Sequence, residues 1–199
     1  MMTKITELAH LLVRSHLLAQ PHEHRIAIDA TVGNGFDTVF LADCVGAKGM
    51  VYGFDIQDMS AAQAEAVRRV LAERITLIQA GHETMLAHIP TKALGEVQAI
   101  MFNLGYLPRG DKHITTTSTT TILALEQSLA LLADGGILTI ACYLGHPGGQ
   151  EETEAVFSFV NALPTEHYRV LHSRYVNHQR GVPPELIAVY SFGETHRQS

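Results

Sequence analysis

The run Asp29-Ala30-Thr31-Val32-Gly33-Asn34-Gly35-Phe36-Asp37-Thr38 is the densest concentration of potential chemistry in the chain. Its two glycines stand where an apolar stretch gives way to a helical pattern beginning near Asp37. Glycines at such a junction let the backbone approach a ligand closely, and a helix N-terminus adds unpaired N–H donors. Asp55 closes the next apolar stretch, 22 residues after Gly33. That spacing suits a carboxylate accepting hydrogen bonds from ribose hydroxyls. Asp29 or Asp37 then offers negative charge to a cationic amino-acid tail. A dinucleotide fingerprint wants a small residue where Thr38 stands, so S-adenosylmethionine fits this loop better than NAD.

Further along, Gln79-Ala80-Gly81-His82-Glu83 ends a third apolar stretch. In a nucleotide-type site His82 would meet the adenine, or else it caps the short helix that follows. Asn103-Leu104-Gly105-Tyr106-Leu107-Pro108 is similar to the N-P-P-Y type motif of amino-group methyltransferases, with Leu104 and Gly105 in place of the prolines. There the asparagine carbonyl and the next backbone carbonyl accept from an amine and aim its lone pair, while the aromatic ring stacks on a base. A protonated amine must also lose a proton, for which His82, His113 and His146 are the candidate acceptors. Arg109-Gly110-Asp111-Lys112-His113 has the charge to grip phosphates. Tyr143 to Gly149 forms a glycine-rich substrate-side loop. The hydroxyls of Thr115–Thr121 either cap a helix or meet a phosphate.

These segments need a frame to hold them. Apolar β-type runs at Arg25–Ile28 (ending at Asp29), Met50–Phe54 (ending at Asp55), Ile75–Gln79, Val97–Phe102 and Gly136–Tyr143 alternate with helical patterns at Ala61–Glu73, Thr120–Ala133 and Gln150–Leu163. Gly135–Gly136 reads as the stop of the second of these helices, and Glu151 and Glu152 as acids suited to the start of the third. Such alternation predicts βαβ units around a parallel sheet. Tyr168–Val176 and Leu186–Phe192, separated only by a turn near Gly181–Pro184, predict an antiparallel hairpin at the edge. Ile5–Leu18 predicts an additional helix. The expected architecture is α/β and Rossmann-like: seven strands, mostly parallel, with helices on both faces. It is expected to form one domain over 1–199, with residues 1–24 packed on the core.

The chain has 199 residues, of which 46% are hydrophobic and 17% charged, and a net charge of −6. This composition supports a sizeable core and argues against a surface coated in positive charge for non-specific nucleic-acid binding. No apolar run is long enough to span a bilayer. The polar interruptions at Glu7, His10, Arg14 and His16 argue against a signal peptide, so a cytoplasmic location is expected. Cys44 and Cys142 have neither metal nor disulfide spacing. The 12 histidines offer only the close pair His22 and His24, ahead of the first strand, and no metal is expected.

D-A-T-V-G-N-G-F-D-T, Y-G-F-D-I-Q, G-H-E, M-F-N-L-G-Y-L-P-R-G-D-K, Y-L-G-H-P-G-G-Q-E-E and N-H-Q-R-G-V-P-P-E-L-I together closely resemble a small bacterial family labelled rRNA methylases, within the class I S-adenosylmethionine-dependent methyltransferases. The resemblance runs from about Ile26 to Val189. It implies methylation of the aminomethyl group of 5-aminomethyl-2-thiouridine at the tRNA wobble position, the activity of characterised family members. It implies a cofactor pocket of Asp29, Gly33, Asn34, Gly35, Asp37, Thr38, Asp55, Gln57 and His82. Asn103, Leu104 and Tyr106 would act at the amine. Arg109, Lys112, His146, Asn177 and Arg180 would lie toward the anticodon stem-loop. Family members often carry asparagine within the stretch His178–Arg180 and histidine at the position of Phe36. The alternatives are methylation of rRNA or of a small amine, and a catalytically inactive RNA-binding protein. A homodimer is compatible with the residues, though no pattern demands one.

Overall fold

The computed structural model describes residues 4–20, 22–57, 73–105, 115–177 and 181–193. Its strands are β1 (Ile26–Asp29), β2 (Met50–Asp55), β3 (Ile75–Gln79), β4 (Val97–Leu104), β5 (Leu132–Cys142), β6 (Tyr168–Arg174) and β7 (Glu185–Ser191). They form one seven-stranded sheet in the order β3-β2-β1-β4-β5-β7-β6. The first five strands are parallel, whereas β7 pairs antiparallel with both β5 and β6. This is the expected mostly parallel sheet with its C-terminal antiparallel pair at one edge.

Strand alternation explains how the sheet is covered twice. Successive side chains point to opposite faces, so strands buried on both sides read as continuous apolar runs. On β4, Ile100, Phe102 and Leu104 pack on one face with Leu125 of α4 (Ser118–Leu131) and Val156 of α5 (Gly149–Asn161). Ala99 and Met101 pack on the other face with Leu41 of α2 (Phe36–Val45) and with α1 (Ile5–Leu18). α1 presents Ile5, Ala9, Val13 and Leu17 at intervals of four, a stripe buried to 3% exposure or less. α1 therefore belongs to the sheet's covering layer, where it contacts β5 and β7. The short α3 (Met85–His88) buries Met85 in the opposite layer. The helix expected at Ala61–Glu73 lies outside the described residues, except for Glu73.

One local expectation needs correction and another is extended. Gly135–Gly136 does not end the fourth helix, because α4 stops at Leu131 and Leu132 is already extended. Leu132 pairs with Val97, and the register shifts before Ala99 meets Ile137, so the two glycines sit inside β5 beside an irregularity. The Gly135 carbonyl is claimed from outside the strand: it accepts from Gln20 Nε2 at 2.7 Å and lies 2.7 Å from His16 Nε2. Glu152 lies in the first turn of α5, but it is buried at 2% exposure and does more than complement the helix dipole. Its carboxylate accepts from Thr116 Oγ1 at 2.8 Å and Thr121 Oγ1 at 2.6 Å, tying α5 to the start of α4.

The parallel strands bring Asp29, Asp55, Gln79 and Leu104 to one edge of the sheet. Strand order reverses between β1 and β4, where open α/β sheets hold their ligands.

Candidate active site

At that edge lies a cavity of about 820 Å³, within the range of small-molecule sites. Its floor is the loop from β1 into α2. Gly35 caps α2 with φ +78°, a left-handed conformation that glycine adopts without the Cβ penalty. Gly33 N–H donates to Asp55 Oδ2 at 2.7 Å, and Gln57 N–H donates to Asp55 Oδ1 at 2.8 Å. These bonds fix the carboxylate at the tip of β2 against the glycine loop. Each oxygen retains a second lone pair for a ligand hydroxyl.

Asp29 and Thr38 lie behind the cavity wall rather than in it. Both are fully buried, and Thr38 Oγ1 donates to Asp29 Oδ2 at 2.6 Å while Thr31 N–H donates to Oδ1 at 3.1 Å. They brace the loop from beneath. Burial, reinforced by the Asp37 and Asp55 charges, pushes the Asp29 carboxyl up to about 7 against the pull of the Thr38 and Thr31 hydrogen bonds.

His82 lines the adjoining wall at 6% exposure, with Nδ1 at 3.3 Å from the Ala30 carbonyl. Burial holds its pKa below the usual imidazole value, outweighing the Glu83 charge and the Ala30 bond. A neutral ring facing a carbonyl through Nδ1 carries its proton there, which leaves Nε2 as an acceptor.

Across the cavity, Asn103 sits near the end of β4. Its N–H donates to Thr31 Oγ1 at 2.7 Å, and its side-chain Nδ2 donates to Asp37 Oδ2. A carboxylate can only accept, so this bond settles the amide orientation: nitrogen toward Asp37, Oδ1 turned away. Gly105 follows at φ +137°. Proline, fixed near −65°, cannot occupy that conformation, so this chain cannot carry the second proline of an N-P-P-Y motif. Gly105 N–H donates to Thr116 Oγ1 at 2.8 Å, and Thr116 N–H donates to the Gly105 carbonyl at 3.1 Å. The hydroxyls of Thr116, Thr117 and Thr121 serve structure, whereas Thr115 Oγ1 is buried in the cavity lining without a hydrogen-bond partner among the described residues. Thr116 and Thr121 reach Glu152, and Thr117 caps α4 by accepting from Thr120 N–H.

Of the residues expected at the site, Gly33, Asn34, Asp37, Asp55, Gln57, His82, Asn103, Leu104 and His146 line the cavity. Asp29, Gly35 and Thr38 support its wall. Asn177 is exposed in the turn after β6 and does not line the cavity. Tyr106, Arg109, Lys112, His113 and Arg180 lie outside the described residues. Sequence reading missed His10 of α1, which lines the cavity and reaches Asp37 Oδ1 at 2.5 Å. One signal for it was present: Lys4, Glu7, His10 and Arg14 recur at helical spacing along a polar stripe.

The family model described as "Putative rRNA methylase" matches residues 51–190. The chain belongs to this family. Among curated proteins it is 35% identical over 197 residues to "tRNA (mnm(5)s(2)U34)-methyltransferase, chloroplastic" of Arabidopsis thaliana, covering 94% of this chain and 69% of that protein. Among solved structures, a "putative rRNA-methylase" from Clostridium thermocellum is 37% identical with a TM-score of 0.85, over 96% of this chain and all of that one. A "putative methyltransferase" from Streptococcus mutans, solved in complex with SAH, is 33% identical with a TM-score of 0.76 over the same shares. This member of the rRNA methylase family is an S-adenosylmethionine-dependent methyltransferase. The cavity fits that cofactor: a glycine loop at a helix N-terminus, a carboxylate fixed at the tip of β2, and a buried neutral imidazole on the next wall. Among the described residues, no helix is long and apolar enough to cross a membrane.

Proposed function

We propose that this chain, as a single-domain enzyme, methylates the aminomethyl group of 5-aminomethyl-2-thiouridine at the wobble position of tRNA. The observation that carries the proposal is the Asn103 amide, held with its nitrogen on Asp37 and its oxygen available to an amine. The activity named for the Arabidopsis relative supports the same acceptor.

When bound, S-adenosylmethionine supplies an electrophilic methyl group on a sulfonium. Asp55, fixed by Gly33 and Gln57, would hold the ribose hydroxyls. Asn34 and the N-terminus of α2 would surround the amino-acid tail, with Asp37 supplying negative charge. The Nε2 acceptor of His82 suits the adenine amino group. Asn103 Oδ1 and the Leu104 carbonyl would accept from the acceptor amine, directing its lone pair at the methyl carbon. That positioning requires the neutral amine, so the ammonium proton must leave before transfer. His82 holds its own proton toward Ala30, and its Nε2 would take that proton only by forming an imidazolium that burial disfavours. His146, beside Gly105, is better placed: a Cβ on Gly105 would lie 3.4 Å from its Nε2. Tyr106 would act with Asn103 and Leu104 at the amine, and Arg109, Lys112, Asn177 and Arg180 would complete the proposal on the side of the anticodon stem-loop. The reading carries a cytoplasmic setting, which the free Cys44 and Cys142 suit.

The test is incubation with methyl-labelled S-adenosylmethionine and RNA from cells lacking the terminal methyl, followed by mass spectrometry of the nucleosides. Label in the aminomethyl-thiouridine of tRNA, with loss of the precursor, is the expected result. The family's name favours a second reading, rRNA, and label confined to rRNA would replace the first with it.

A further inference from the structure

We propose that His10 of α1 is a positioning residue for methyl transfer: by holding Asp37, it fixes the Asn103 amide with its oxygen toward the acceptor amine. This rests on the reading of Asn103 as the group that presents the amine.

Asp37 is almost enclosed, its side chain 8% exposed, and its two oxygens are divided between two elements. Oδ2 accepts from Asn103 Nδ2 on β4, and Oδ1 lies 2.5 Å from His10 Nε2 on α1. Since the carboxylate can only accept, Nε2 carries the hydrogen. The terminal torsion of an aspartate is broad and roughly two-fold, so one hydrogen bond alone leaves the carboxylate plane poorly determined. A second donor from a separate helix fixes it, and the plane of the Asn103 amide follows.

His10 is itself held rigidly. Its ring stacks on Phe40 of α2 at 3.8 Å between centroids and 4° between planes, and the Arg14 guanidinium carbon lies 5.2 Å from the Phe40 ring centre. The order of control runs from a packed aromatic pair, through an imidazole N–H and a carboxylate, to an amide at the reacting end of the cavity. Small errors in that last position are costly, because transfer depends on near-attack geometry.

Two substitutions separate the donor from the packing. His10→Phe keeps a ring against Phe40 and loses the N–H, whereas His10→Gln restores an N–H donor and loses the ring. We expect His10→Phe to lower kcat about 10- to 100-fold, by a larger factor than it weakens cofactor binding, and His10→Gln to recover most of kcat. The reverse pattern, activity kept by Phe and lost by Gln, would overturn the proposal in favour of packing.

The side-chain amide NMR signals of Asn103, assigned with Asn103→Asp, give a readout independent of substrate. They should lose their shifted, slowly exchanging N–H in His10→Phe and regain it in His10→Gln. Unchanged amide signals in His10→Phe would refute the coupling. A wild-type protein that labels no tRNA would instead count against the proposed substrate, and the amide signals would still decide the role of His10.

Discussion

At the scale of single residues, the proposed function gives Asp55 a role toward the cofactor and Asn103 a role toward the acceptor. Asp55 is bonded to Gly33 and Gln57, and Asn103 to Asp37 and Thr31, with no hydrogen bond running directly between Asp55 and Asn103 among the described residues. Asp55→Ala should weaken S-adenosylmethionine binding about 10- to 150-fold, the loss of a charged hydrogen-bond partner worth about 1.5–3 kcal/mol. Asn103→Ala should spare that binding and lower kcat, which calorimetry and single-turnover assays distinguish. Asp29 gives a pH signature. Its folded pKa of about 7 lies above the ordinary 3.8, so between those values the folded protein keeps a proton that the unfolded chain releases. Its contribution to stability is complete below pH 3.8 and is lost as pH rises toward and through 7. Urea unfolding at pH 5 and pH 8 should show Asp29→Asn gaining on the wild type by a few kcal/mol at the higher pH, taking ~1.4 kcal/mol per pKa unit. His82 works in the opposite sense. Its depressed pKa removes stability as pH falls below 6.5, because the unfolded chain then takes up a proton that the folded one refuses.

At the scale of elements, α5 controls the turn that carries Asn103 and Gly105 without lining its floor. Glu152 holds Thr116, and Thr116 holds Gly105 through its hydroxyl and its backbone N–H. Glu152→Ala should cost about 1–3 kcal/mol in urea unfolding through unpaired buried hydroxyls. It should lower turnover more than it lowers cofactor affinity, because the glycine loop lies on other elements. The sequence made much of this frame legible. Apolar runs marked the strands, with Ile75–Gln79 found at its predicted bounds. The spacing of Gly33 to Asp55 pointed to a ligand hydroxyl, whereas the bond the structure contains runs between those two residues. What stayed hidden depends on partners brought together by folding. Glu152 reads as a dipole complement because Thr116 and Thr121 are more than 30 residues away. His10 reads as a break in an apolar helix because Asp37 meets it only once α1 and α2 share a face. The end of α4 was misjudged at Gly135 because pairing of Leu132 with Val97 overrides the local stop signal.

For the molecule as a whole, a net charge of −6 would leave the proposed RNA binding to local cations, while the cavity is preformed on the sheet edge. At 100-fold excess over Kd, S-adenosylmethionine should stabilise the fold by about 2.7 kcal/mol. For a chain of this size that is a rise in Tm of roughly 5–10 °C, to be read by differential scanning calorimetry, with NAD giving none.

The position of α1 has a temporal consequence. Its apolar stripe closes against a layer that includes Leu186 of β7, and His16 sets its ring 5.4 Å from Tyr190. During synthesis α1 emerges well before β7, the strand that completes its resting place. Every strand from β1 to β7 must leave the ribosome before α1 can dock fully, a high-contact-order closure of the kind that slows folding. Because His10 rides on that helix, the enzyme's catalytic geometry matures only when its last strand is in place.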